Sequence, residues 1–230
     1  MNIRTTLITS SLIAASLVSG AAQAALEGRD LNGSADSFEA YYDTDLDITW
    51  LADANYAKTS GYDADGGMTW AAANTWAAKL TFVDAVNNLT YDNWRLPTTL
   101  QPDASCRDQR SGGYSYGYGC TGSEMGHLFD GELGGSPDES ILFSTDPDLA
   151  KFTNLNSYYY WSGTRYASDS RFAFQFSFAV GNQDAGFKSE ALYAFAVTPG
   201  DVGAVPEADT WAMLLAGLAL VGAATRRRRG

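Results

Sequence analysis

Three carboxylates at alternate positions, Asp43, Asp45 and Asp47, are the most compact set of candidate ligand atoms in the chain. Hard cations take clustered oxygens, so this spacing admits a calcium site. A second acidic turn follows at Asp63-Ala64-Asp65-Gly66-Gly67. Neither is an EF-hand: Ile48 stands where such a loop needs glycine, and Asn55 follows in place of a closing glutamate. The other reading of Asp43 to Asp47 is a solvated acidic edge ahead of a strand. The run Tyr158-Tyr159-Tyr160-Trp161 offers a second chemistry. Aromatic rings on a loop can form a platform for sugars, and the same rings can equally fill a core. Catalytic parts are scarce. His127 is the single histidine, and no nucleophile elbow accompanies it. No further histidine or spare cysteine is present to complete a tetrahedral zinc site with it. No pair among the many acids is singled out for glycoside hydrolysis.

These residues need elements to hold them. Ile48-Thr49-Trp50-Leu51 reads as a short strand. Thr69 caps a helix over 70–80, with Trp70, Ala73, Ala77 and Leu80 at spacings of three and four. Ser123 caps a second helix over 124–133, weakened by Gly126 and Gly131. Phe172, Phe174, Phe176 and Phe178 alternate with small or polar residues, which predicts a strand with one buried face. The turn Gly181-Asn182-Gln183-Asp184 then leads to Tyr193–Val197 as its antiparallel partner. The expected class is α+β, two helices against a small twisted antiparallel sheet with long loops.

The two ends carry addressing signals. Arg4 precedes an apolar run from Leu7 to Val18, closed by Ala22-Gln23-Ala24. That is the pattern of a signal peptide over 1–24, removed by the Sec signal peptidase. At the other end, Val205-Pro206-Glu207 leads into an apolar stretch, Trp211 to Ala224, and then Arg226, Arg227, Arg228 and Arg229. Fourteen helical residues span about 21 Å. Extension from Ala208 to Thr225 and snorkelling arginine stems bring this short transmembrane helix closer to the width of a bilayer. Positive residues stay on the cytoplasmic side, so everything ahead of the span is exported.

Between the ends lies one domain, 25–204. Setting aside the five arginines of the two ends, with Glu207 and Asp209, leaves 10 basic against 25 acidic residues, a net charge of −15. Such a surface lacks the basic footprint that nucleic acid requires. In an exported chain Cys106 and Cys120 are expected to pair. Closing a loop of this length is worth roughly 3 kcal/mol in the chain-entropy model. The enclosed segment, rich in glycine and tyrosine, would be hard to order without that staple.

The tail resembles the PEP-CTERM sorting signal, processed by exosortases in bacteria that export exopolysaccharide. Val205-Pro206-Glu207 and Trp211-Ala212-Met213-Leu214-Leu215-Ala216-Gly217-Leu218 carry the resemblance, although Ala208 stands where the signal has a second proline. The domain resembles the Lcl C-terminal family over 45–202. The matching elements are Leu46–Leu51, Thr69-Trp70, Asn93-Trp94-Arg95-Leu96-Pro97-Thr98, Ser123–Leu128, Tyr160-Trp161-Ser162-Gly163-Thr164 and Ala196–Asp201. Thr198 replaces an arginine of that pattern. The resemblance implies a C-type-lectin-like or sulfatase-modifying-factor-like fold. Two functions fit these observations. One is a non-catalytic surface or matrix protein of the biofilm type, binding exopolysaccharide or another extracellular glycan after transient anchoring in the inner membrane. The other is a secreted glycan-active or modifying enzyme on the same fold.

Overall fold

The computed structural model describes residues 26–34 and 37–202. The expected signal peptide, the transmembrane helix and the sorting residues Val205 to Glu207 and Arg226 to Arg229 lie outside the described residues. Among the described residues, no helix is long and apolar enough to cross a membrane.

The architecture is mixed and mostly antiparallel sheet. A four-stranded sheet is ordered β1 (Leu26–Arg29), β2 (Ala40–Asp43), β3 (Ile48–Leu51) and β11 (Val197–Pro199). A five-stranded sheet runs β6 (Asp108–Arg110), β7 (Tyr114–Tyr118), β10 (Asn182–Phe187), β9 (Phe172–Ser177) and β8 (Tyr159–Arg165). A two-stranded ribbon pairs β4 (Phe82–Asp84) with β5 (Leu89–Tyr91). The α-helices are short: α1 (Tyr56–Thr59), α2 (Trp70–Ala77) and α3 (Glu124–His127). Two helices against one small sheet is therefore corrected, among the described residues, to three sheets with three short α-helices.

The differences have local causes. Thr69 caps α2 as expected, its hydroxyl accepting from the Ala72 amide at 3.4 Å. The helix then closes early, because Lys79 and Leu80 bond back only three residues, to Trp76 and Ala77. The second expected helix is α only as far as His127 and becomes a π turn over Leu128–Glu132. Gly126 is required there by packing: a Cβ would sit 2.0 Å from the Cys120 carbonyl oxygen. The phenylalanine strand forms as β9, but its partner is β10, beginning at Asn182, and Tyr193–Val197 goes elsewhere. Tyr193 bridges to Tyr160 in parallel, and β11 pairs with β3 while Val197 also pairs with Arg95. This segment joins the two large sheets.

Two cores result, and single strands feed both. Trp50 packs with Tyr160, Phe129, Phe176, Phe178 and Phe195. The next residues along the same strands, Leu51 and Trp161, pack with Trp76, Trp94 and Leu96. Successive strand residues face opposite sides, so a strand buried on both faces, such as β3, is apolar at nearly every position, and its one polar residue, Thr49, has its hydroxyl bonded to the Gly200 carbonyl. Arg95 pairs with an inner carboxylate, making two bonds of 2.8 and 2.7 Å to Glu124, which also accepts from the Thr98 amide.

Candidate functional site

The aromatic run does not form one platform. Tyr160 and Trp161 are fully buried. The Tyr160 hydroxyl accepts from the Asn156 amide at 2.8 Å, and burial pushes its pKa up to about 12. The Trp161 indole donates to the Met68 carbonyl at 2.8 Å. These two take the core alternative, because β8 alternates between the two cores. Tyr159 is half-buried, and Tyr158 is exposed and packs edge-on against it with centroids 5.6 Å apart.

The three aspartates do not converge either. Asp43 is buried and turns inward, where its carboxylate accepts from the Asp45 and Leu46 amides and from the Trp50 indole. Asp47 is exposed, has a φ of 51°, and accepts from the Tyr42 hydroxyl at 2.9 Å. Asp45 is exposed. The calcium arrangement on these three is thus not formed. Asp43 instead faces His127 and Glu132, across from the β2–β3 turn. Burial, and next the Asp43 carboxylate, push the Glu132 carboxyl upward, His127 pulls it the other way, and Asp45 adds a smaller push. The partners of His127 are carboxylates distant in sequence or five residues on, which the count of histidines and cysteines does not signal.

A cleft of about 310 Å³ opens on the five-stranded sheet. Along β7 the burial alternates, with Tyr114, Tyr116 and Tyr118 half-buried on one face and Ser115 and Gly117 buried on the other. Ser115 fixes the strand: its hydroxyl donates to Gln109 at 2.6 Å and accepts from the Asp103 amide at 2.8 Å. The β6–β7 turn uses Gly112 and Gly113 at φ 98° and 81°, which glycine adopts without strain. Across the cleft stand Tyr166, Phe172 and Phe174, with the Tyr114 and Tyr166 rings 4.6 Å apart. Polar groups sit among them: Arg110, whose guanidinium lies over the Tyr116 ring, and Asp169 and Asp184. Arg171 pairs with Asp169 at 2.7 Å and holds its carboxyl down at about 2. An apolar floor with a few placed polar groups is the composition of a small-ligand cleft. The period-two tyrosines of 114–118 were the available signal for it.

The expected disulfide is present between Cys106 and Cys120, at the base of this hairpin. Cys106→Ser should lower stability by about 2–4 kcal/mol in chemical denaturation. A loss under about 1 kcal/mol would show that the hairpin holds itself without the staple.

The tail supplies the address for the site. Residues 204–229 match the PEP-CTERM protein-sorting motif. The PEP-CTERM match covers the proline-glutamate element, the apolar stretch and the arginines together, and it indicates exosortase-dependent export to the cell surface. No curated protein and no solved structure matches the chain.

Proposed function

We propose that this is a cell-surface protein whose exported domain binds a glycan in the tyrosine-lined cleft between the β6–β7 hairpin and β9. The observation that carries the reading is the conjunction of a PEP-CTERM tail with the cleft of Tyr114, Tyr166, Phe172 and Phe174 beside Arg110, Asp169 and Asp184. Ring faces suit the C–H faces of a sugar, while the carboxylates and guanidinium suit its hydroxyls. The acidic surface disfavours strongly anionic polymers, so the ligand class is a neutral exopolysaccharide. Motif order like that of the Lcl C-terminal family, and through it a C-type-lectin-like ancestry, belongs to the same reading.

The electrostatics of Asp169 disfavour one catalytic role for it, that of general acid. A general acid needs a raised pKa, whereas Arg171 holds this carboxyl at about 2.

Calorimetric titration of the exported protein with the host's exopolysaccharide tests the proposal. Tyr166→Ala and Tyr114→Ala should each weaken binding by about 1–2 kcal/mol, or roughly 5- to 30-fold. Tyr158→Ala, outside the cleft, should leave binding unchanged. The reverse pattern would move the site to the Tyr158 surface, and no heat with any wild-type titration would remove the glycan reading.

A further inference from the structure

We propose that Asp43, His127 and Glu132 form a binding site for a first-row divalent cation of the zinc class, separate from the tyrosine cleft. One donor atom from each residue lies within 4.8 Å of the others. The imidazole Nε2 stands 3.4 Å from Glu132 Oε1 and 4.0 Å from Asp43 Oδ1. Neither contact has good hydrogen-bond geometry, and apart from the 3.4 Å approach to each other the buried Nε2 and Oε1 have no hydrogen-bond partner. The Glu132 side chain is only 2 % exposed, and that of Asp43 1 %. Unpaired polar atoms this deep are unfavourable by about 1–3 kcal/mol each, more when charged. A cation at their centre would satisfy both at once. Bonds of about 2.0–2.2 Å to a tetrahedral ion set its donors about 3.3–3.6 Å apart; the His127–Glu132 separation of 3.4 Å lies in that range, and Asp43, at 4.0 Å from the imidazole, would close in by a few tenths of an ångström.

The backbone supports the same reading. His127 and Glu132 are five residues apart, which on an α-helix places them about 140° apart around the axis. The π turn over Leu128–Glu132, closed by the Leu133 amide on the Leu128 carbonyl at 2.9 Å, brings residues five apart onto one face. Asp43 arrives at the end of β2, held by the Asp45 and Leu46 amides and the Trp50 indole. Its orientation is fixed by these bonds without any cation. The imidazole edge is the accessible part, its side chain being 19 % exposed.

The donor set selects the ion. One imidazole nitrogen with two carboxylates suits zinc and its first-row neighbours, while calcium takes six to eight oxygens. Three protein donors leave a fourth position for water or a ligand. The other gathering of such groups among the described residues, Asp103 with Cys106 and Cys120, has its sulfurs committed to the disulfide.

Titration of the full exported protein with ZnCl2 and with CaCl2, each by calorimetry, tests the site, with Co2+ absorption as a second readout. Expected are one zinc per chain, a visible Co2+ band of low-symmetry nitrogen-oxygen coordination, and calcium binding weaker by at least about 100-fold. Glu132→Gln and His127→Gln should each lower zinc affinity roughly 100-fold, while Asp47→Asn should not. Should Glu132→Gln fail to fold by circular dichroism, His127→Gln and the wild-type Co2+ spectrum decide. Absence of stoichiometric zinc uptake and of the Co2+ band in wild type overturns the proposal. Zinc affinity unchanged from wild type in both glutamine variants does so as well, since the ion would then sit elsewhere.

Discussion

Trp161→Ala should destabilise the domain by roughly 3–5 kcal/mol, the range for deleting a large aromatic from a core. Small domains have only about 5–15 kcal/mol in total, so this one change would remove between about a fifth and all of the margin. The magnitude follows from position. Trp161 is fully buried in β8, packs in the core of Leu51, Trp76, Trp94 and Leu96, and donates its indole hydrogen to Met68. Little can collapse into the space, because β8 is paired with β9 and bridged to Tyr193. Tyr158→Ala, three positions earlier and exposed, should change stability by less than about 0.5 kcal/mol. Denaturant midpoints for both variants measure the contrast. A Trp161→Ala cost below about 1 kcal/mol would mean that the two-core arrangement is wrong.

Deleting Arg226 to Arg229 should have the largest effect on destination. Our hypothesis is that the arginines hold the tail on the cytoplasmic side long enough for processing, and the PEP-CTERM match includes them. The shortened chain should appear in the medium with its tail intact, while wild type stays with the cell envelope and loses the tail. Fractionation followed by intact-mass measurement separates these products. Envelope retention with normal tail removal in the deletion would count against the arginines as the retaining element.

Much of this was legible because local rules carried it. Thr69 announces α2, the alternating phenylalanines announce β9, and paired cysteines in an exported chain announce a bridge. What escaped is non-local. Nothing in Tyr193–Pro199 says that it will cross from β8 to β3, since its apolar residues would suit any buried strand. Tyr158–Trp161 had two readings because aromatic type does not reveal orientation; only the strand register assigns Tyr160 to one core and Trp161 to the other. The π turn was hidden for a related reason. Gly126 looked like a helix weakener, when the close approach of Cys120 is what demands it. The cleft escaped altogether: the tyrosines of 114–118 read as a glycine- and tyrosine-rich loop held by the disulfide, and nothing local says that Tyr166 and Phe172 face them.

The latch between the two ends of the domain has a mechanical consequence. Arg29, in the first strand, grips Asp201 with bonds of 2.5 and 2.9 Å, while Thr49 donates to the Gly200 carbonyl and accepts from the Val202 amide. Any drag on a surface-held domain enters through the chain just after Val202. There it meets β11, a three-residue strand held by β3 on one side and, at Val197, by Arg95 on the other. The latch spreads that tug across the sheet, so β11 cannot lift until Arg29 and Thr49 release together. Flow past the cell would strain this corner first.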